Sequence, residues 1–230
     1  MVKLNLRHHL EFLRTYLAQP NVVGAFAPSS KALAEALCEP VRTCPSPAAI
    51  LEVGAGTGAI TGYLGQILKR EDRLDICEVN GGFADILERD VLTLPCFRDA
   101  VSSGRVRLIR CPVQEIKRTG VYDFVISCLP LTVFELHDVE EVFATFRRSL
   151  KPHGVLSYFE YVGMRRTSRV FALGNRRRRI RAVSAYLSDQ LRHYQFDRRT
   201  VFQNFPPAHA RYLRFAPAAA FQPALGGLAG

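Results

Sequence analysis

Ile50-Leu51-Glu52-Val53-Gly54-Ala55-Gly56-Thr57-Gly58 is the stretch on which the fold of this 230-residue chain turns. The short apolar run from Ala48 to Val53 reads as a buried strand, and glycine then occupies every second position from Gly54 to Gly58. Beyond the turn, Ala59, Ile60, Tyr63, Leu64, Ile67 and Leu68 recur at helical spacing, so the unit is strand, glycine turn, helix. Glycine at such a turn permits positive φ and lets a ligand press onto bare backbone. The helix that follows directs its free N–H groups toward the same point. Together they predict a nucleotide-type pocket at the carboxyl end of a parallel strand. The plainer alternative is a tight turn that holds nothing.

Working outward, the length suits one sizeable α/β domain with short extras, and 48% apolar with 23% charged residues is ordinary for a soluble globular protein. No uninterrupted apolar run reaches the about 18 residues that a spanning helix needs. Met1 to Glu11 lacks the apolar core of a signal peptide, which predicts a cytoplasmic protein. Cys38, Cys44, Cys77, Cys96, Cys111 and Cys128 are scattered without a Cys-x-x-Cys pair, so they read as reduced fillers, with no metal expected. The net charge of +10 is concentrated: Arg165 to Arg214 holds 13 arginines against two aspartates. A basic surface confined to one segment points to an anionic partner, the phosphates of lipid or of nucleic acid; a solvated helix face is the bland alternative.

Leu6, Leu10, Leu13 and Leu17 fall on one helical face, flanked by Lys3, Arg7 and Arg14. Residues 1–19 therefore read as a basic amphipathic helix, either membrane-contacting or a lid. Residues 20–215 form the main domain, and 216–230, rich in alanine, proline and glycine, read as a disordered tail. Ser29 or Ser30 can cap a helix over Lys31 to Leu37, with a loop from Pro40 to Pro47. Strands are predicted at Arg73 to Val79, Val106 to Ile109, Val121 to Cys128 and Val155 to Val162. Helices are predicted at Phe83 to Val91, Val139 to Leu150 and about Val170 to His193, and a closing strand pair at Thr200 to Phe205 and Ala210 to Phe215. This alternation predicts a parallel sheet with right-handed crossovers. Glu78 sits near the end of the second strand, where a carboxylate can accept two hydrogen bonds from a ribose diol. Pro130, after the fourth strand, stops the ladder and is expected to leave carbonyls free at the sheet edge.

A dinucleotide fingerprint can be fitted to Gly54-x-Gly56-x-x-Ala59, but nothing later looks like a substrate domain for hydride transfer. Glu52-x-Gly54-x-Gly56-x-Gly58 is instead the form typical of class I S-adenosylmethionine-dependent methyltransferases. In chain order, Pro28-Ser29-Ser30, Leu51 to Gly58, Cys77-Glu78-Val79-Asn80 with Phe83, Ser127-Cys128-Leu129-Pro130-Leu131 and Asn204-Phe-Pro-Pro-Ala208 together resemble the bacterial phospholipid N-methyltransferase family. The match covers about residues 12 to 214, and relatives of that family act on other aminolipids such as ornithine lipids.

The resemblance implies an α/β, Rossmann-like class I methyltransferase fold: a seven-stranded, mostly parallel sheet with helices on both faces, plus the N-terminal amphipathic helix. It implies S-adenosyl-L-methionine as cofactor, with Ser29, Ser30, Glu52, Gly54, Gly56, Thr57, Gly58, Glu78, Val79 and Gln114 around it. Cys111-Pro112-Val113 stands where this superfamily often places an acid against adenine, so backbone groups or Gln114 must serve there. Ser127, Cys128, Leu129 and Pro130 would line the transfer site, with Tyr16 as a candidate proton acceptor. Tyr158, Arg165, Arg166 and Arg169 would meet a head-group phosphate, which guanidinium binds in a fork. The implied activity is N-methylation of phosphatidylethanolamine, its methylated intermediates or ornithine lipid, peripherally at the inner face of the cell membrane.

Two alternatives remain. An rRNA adenine N6-methyltransferase has a similar proline-containing loop and would use the same arginines for RNA phosphates. No stacking platform or appended RNA-binding domain favours it. A non-enzymatic nucleotide-fold binding protein would show no turnover.

Overall fold

The computed structural model describes residues 30–163 and 174–215. The expected N-terminal helix, Ser29, Tyr16, the 216–230 tail and Arg165, Arg166 and Arg169 lie outside the described residues.

Helix α1 (Lys31–Thr43) buries Leu33, Ala34, Leu37, Cys38 and Val41 along one side. Ser30 caps it, its hydroxyl accepting the Leu33 N–H at 3.2 Å. The helix runs through Pro40, where a loop was expected. Proline has no N–H to give the carbonyl four residues earlier. Tyr212 supplies the missing donor: its hydroxyl bonds the Ala36 carbonyl at 2.5 Å, and the helix continues.

Strand β1 (Ala49–Val53) leads through the glycine turn to α2 (Ala59–Ile67), then β2 (Arg73–Cys77) and α3 (Gly81–Ile86). A π-helical turn over Leu87–Val91 extends α3 and is followed by α4 (Arg98–Ser102) and β3 (Val106–Ile109). Next come β4 (Tyr122–Ser127), α5 (Leu136–Ser149), β5 (Leu150–Tyr161) and α6 (Gly174–Tyr194). The hairpin of β6 (Gln195–Val201) and β7 (Ala208–Leu213) closes the domain.

The seven strands form one sheet in the order β3-β2-β1-β4-β5-β7-β6. All pairings are parallel except those of β7 with β5 and β6. The chain steps outward from β1 to β3, then returns to the other side of β1 with β4. That reversal opens a crevice at the carboxyl ends of β1 and β4, the usual ligand position in open α/β sheets. Alternate strand residues face opposite layers. Ile50, Leu74, Ile76 and Ile126 pack under α1 and α2, while Leu51, Val53, Val125 and Leu156 meet α5 and α6.

The closing pair exists, but its bounds differ from expectation. Pairing of β7 with β5, from Leu156↔Leu213 to Tyr161↔Ala208, sets the register. That leaves residues 202–207 as the turn rather than as strand. Phe202 and Phe205 stand 76% and 84% exposed there, so the two rings do not mark a buried strand face. At the amino end of β1, buried Asp72 accepts the Ala48 and Lys69 N–H groups, each at 2.8 Å. Asp75 takes Arg107 and the Tyr122 hydroxyl, tying β2 to β3 and β4.

Candidate active site

Gly54, Gly56 and Gly58 have φ of +73°, +56° and +86°, so each needs the freedom of glycine. Their surroundings differ. A Cβ on Gly54 would lie 2.9 Å from Leu129 Cδ2, which puts the loop after β4 directly over the turn. A Cβ on Gly58 would meet Val91 at 2.7 Å and Leu87 at 3.0 Å, so this glycine lets α2 close onto the π-helical turn. Around Gly56 nothing among the described residues comes within 4 Å of such a Cβ. The backbone at Gly56 is therefore open, while Leu129 covers Gly54 and the Leu87–Val91 turn packs on Gly58.

The neighbouring strand ends are tied to this turn. Gly54 N–H donates to the Cys77 carbonyl at 2.9 Å, and Cys128 N–H donates to the Val53 carbonyl at 2.8 Å. Glu78, 5% exposed, follows β2. One carboxylate oxygen accepts the Gly56 N–H and the other accepts the Asn80 N–H, both at 2.8 Å. Burial pushes its pKa up, and the Asn80, Gly56 and Val79 N–H groups pull it back. Each oxygen keeps further acceptor capacity for a diol. Asn80 also caps α3 by accepting the Phe83 N–H at 3.2 Å. That second role of Asn80 was visible in the sequence as an Asx residue three positions before Phe83, and was missed.

Glu52 is fully buried, and both its oxygens accept from the Thr61 hydroxyl, at 3.0 and 2.8 Å. Burial raises its pKa to about 8 against the pull of Thr61, with the Glu78 charge adding to the rise. Glu52 thus sits beneath the turn as an acid that carries its proton near neutrality. Thr61, in the first turn of α2, was not anticipated.

The loop from Ser127 to Leu131 lies over Gly54, which Leu129 contacts. Ser127 is buried, and its hydroxyl accepts the Leu129 N–H at 3.4 Å. Of the carbonyls expected to be free, those of Leu129 and Pro130 are engaged, accepting from Leu131 and Val133 as the loop tightens into a 3-10 turn over Leu131–Val133. Each oxygen retains a second lone pair. Burial, then the Glu52 and Glu78 charges, push the Cys128 thiol well up, so it stays neutral.

The remaining expected residues separate. Thr57 is exposed on the turn; Val79 and Gln114 are half-buried, Gln114 in a 3-10 turn over Val113–Glu115. Ser30 caps α1, and its own N–H donates to Asn204 at 3.0 Å, joining the two ends of the described domain. Tyr158, paired with Ser127 across the sheet, is 1% exposed with its ring edge-on to Phe143. That position is core, and it does not fit a side chain meant to meet a head-group phosphate. No group of three or more His, Cys, Asp or Glu side chains able to hold a metal occurs among the described residues.

Comparison with known proteins adds family and fold. Residues 50–154 match the profile of the methyltransferase domain family. An ornithine lipid N-methyltransferase from Singulisphaera acidiphila is 27% identical over 150 residues, which span 64% of this chain and 74% of that protein. Among solved structures, the 1,6-didemethyltoxoflavin-N1-methyltransferase of Burkholderia thailandensis, with bound S-adenosylhomocysteine, superposes with a TM-score of 0.58 at 16% identity. The overlap takes in 94% of this chain and 92% of that one. The S-adenosylhomocysteine-bound methyltransferase PaMTH1 of Podospora anserina gives 0.55 at 14% identity, over 94% and 89% of the two chains.

The residues present fit S-adenosylmethionine: the space at Gly56 is one a Cβ would enter, and Glu78 holds its carboxylate beside that space on two backbone N–H groups. The matched profile begins at Ile50, at the head of this same turn. Residues 50–154 thus match the methyltransferase domain family, on a fold shared with class I S-adenosylmethionine-dependent methyltransferases.

Proposed function

We propose that this enzyme methylates the amine of an aminolipid head group, either phosphatidylethanolamine and its partly methylated products or ornithine lipid. The observation that carries the reading is the likeness to the Singulisphaera acidiphila ornithine lipid N-methyltransferase, which extends over 64% of the chain. The motif set from Pro28-Ser29-Ser30 to Asn204-Phe-Pro-Pro-Ala208 supports it, and Ser30 and Asn204 meet through a hydrogen bond of 3.0 Å.

When bound, S-adenosylmethionine supplies an electrophilic methyl group on a sulfonium. In this reading Gly56 gives the cofactor close approach to backbone, and Glu78 accepts the ribose hydroxyls. Gln114 or the backbone of Cys111 to Val113 contacts adenine. The loop from Ser127 to Pro130 faces the incoming amine, and its carbonyl lone pairs orient the remaining N–H bonds. The neutral Cys128 thiol offers no competing nucleophile. Alignment and exclusion of water then provide much of the rate, because nitrogen, methyl and sulfur must lie in line. Arg165, Arg166 and Arg169 are proposed to meet the head-group phosphate, and the enzyme is proposed to work peripherally at the inner face of the cell membrane.

The test is incubation with methyl-labelled cofactor and detergent-dispersed phosphatidylethanolamine, ornithine lipid or undermethylated rRNA. Label in a lipid is the expected result. Label in RNA alone, or in none of the three, contradicts the assignment.

A further inference from the structure

The β6–β7 turn carries two phenylalanines to which the proposed reaction assigns no role. Phe202 is 76% and Phe205 84% exposed, the largest values among exposed large apolar side chains of the described residues. Between them Asn204 is buried, donating to the Pro206 carbonyl at 2.8 Å and accepting the Ser30 N–H at 3.0 Å. The turn is thus anchored at its centre while its two rings project outward. Such a pre-organised tip loses little freedom on docking. Val162, 44% exposed, lies next to it, its N–H bonded to the Pro207 carbonyl at 2.8 Å. Exposed apolar side chains gathered at one place mark an interaction surface.

Topology puts this tip on the rim of the candidate active site. Tyr161 ends β5 at the carboxyl edge of the sheet and pairs with Ala208, so the turn before Ala208 stands at that same edge. Helix α6 starts there too. Its last residue, Tyr194, leads into Gln195, which pairs with Leu213 opposite Leu156 near the far end of the sheet. Early in the helix, Arg179 reaches Glu135 at 3.2 Å, and α6 packs against the Leu131–Val133 turn of the transfer loop.

Arg177, Arg178 and Arg181 are exposed on these first turns, and no acid accompanies the first turn. A helix N-terminus already carries positive partial charge, so guanidinium groups there are unfavourable until an anion neutralises them. Rings and cations on one rim match a bilayer with anionic head groups, where apolar side chains enter the acyl boundary and arginines meet phosphate.

We infer that the Phe202–Phe205 tip and the first turns of α6 form a membrane-docking surface that inserts into an anionic bilayer and sets the transfer loop over the head groups. This deepens the aminolipid reading, on which it rests for the choice of a bilayer as partner. It requires no contribution from residues 1–19.

The chain has no tryptophan, so Phe205→Trp installs a single indole reporter at the tip. On adding phosphatidylethanolamine–phosphatidylglycerol vesicles to the full chain, its emission is expected to shift to the blue and to be quenched by acyl-brominated lipid. The double variant Phe202→Ser/Phe205→Ser is expected to bind the same vesicles roughly tenfold more weakly for each ring removed. Its affinity for S-adenosylmethionine and its methylation of micelle-dispersed aminolipid should be unchanged. An unmoved emission with vesicles present, or vesicle affinity equal to wild type in the double variant, overturns the docking surface. So does loss of a concentration-dependent dimer in the double variant with no change in vesicle binding, which would assign the tip to a second copy of the chain. If the wild type methylates no micellar aminolipid yet the indole still shifts, the substrate assignment fails and the docking surface stands.

Discussion

Gly56 and Glu78 meet through one hydrogen bond of 2.8 Å, and that contact joins the two sequence signals that had to be read separately. Glu78→Ala removes the proposed ribose acceptor and the partner of two backbone N–H groups. It is expected to weaken S-adenosylmethionine binding by about 1.5–3 kcal/mol, or roughly ten- to a hundredfold, by titration calorimetry; an unchanged dissociation constant would refute the role. Glu52 makes a different prediction. Its folded pKa of about 8 lies above the ordinary carboxylate value, so the folded state holds a proton that the unfolded chain releases. Its contribution is therefore fully present below about pH 4.5 and declines as pH rises through 8. Glu52→Gln mimics the protonated acid and keeps an acceptor for Thr61. Unfolding midpoints of variant and wild type should coincide near pH 5 and separate in favour of the variant by pH 9; parallel curves at all pH values would contradict a buried titrating acid. The Glu78 pKa is raised as well, and because the two charges interact, the difference between the two proteins reports Glu52 together with its coupling to Glu78. At this scale the glycines and Glu78 were legible in the sequence because their spacing carries the information. Thr61 and the Val91 contact of Gly58 were not, because they depend on how α2 lies against its neighbours.

Among the elements, α1 shows where local rules lose to a distant partner. Pro40 ends a helix by any local reading, yet α1 continues to Thr43 because Tyr212 on β7 donates to the Ala36 carbonyl. Tyr212→Phe should leave that buried carbonyl unpaired and lower stability by about 1–3 kcal/mol in urea unfolding. An unaltered midpoint would mean that the carbonyl finds another donor. The hairpin teaches the same lesson. Phe202 and Phe205 look like strand residues in sequence, but β7 takes its register from β5, and the rings fall in the turn. Strands β1 to β4 and the part of β5 from Val155 were readable because their apolar runs end in glycine, proline or polar breaks that need no long-range information, whereas Leu150 to Gly154, read as a helix end and a break, continue β5. The 3-10 turn after Pro130 was not, and it engages two carbonyls expected to be free.

For the whole molecule, the parallel core follows from the alternation of apolar runs with helical patterns, whereas the strand order is seen only in the structure, where the reversal at β1 opens the crevice. Fold leaves substrate open, since one architecture serves many chemistries. The substrate reading depends instead on the aminolipid-enzyme likeness and on the charge segregated to Arg165–Arg214. If phosphate contacts in that segment help to hold the enzyme at its substrate, vesicle binding should weaken as salt rises from low to physiological strength, as surface attraction is screened. Binding indifferent to salt would remove the arginines from that role. The most direct measurement is lipid mass spectrometry of a host that makes both phosphatidylethanolamine and ornithine lipid without methylating either, after expression of this chain. The account predicts new N-methylated head groups that disappear with Glu78→Ala. An unchanged lipid profile, with the folded wild-type protein binding S-adenosylmethionine, would contradict it.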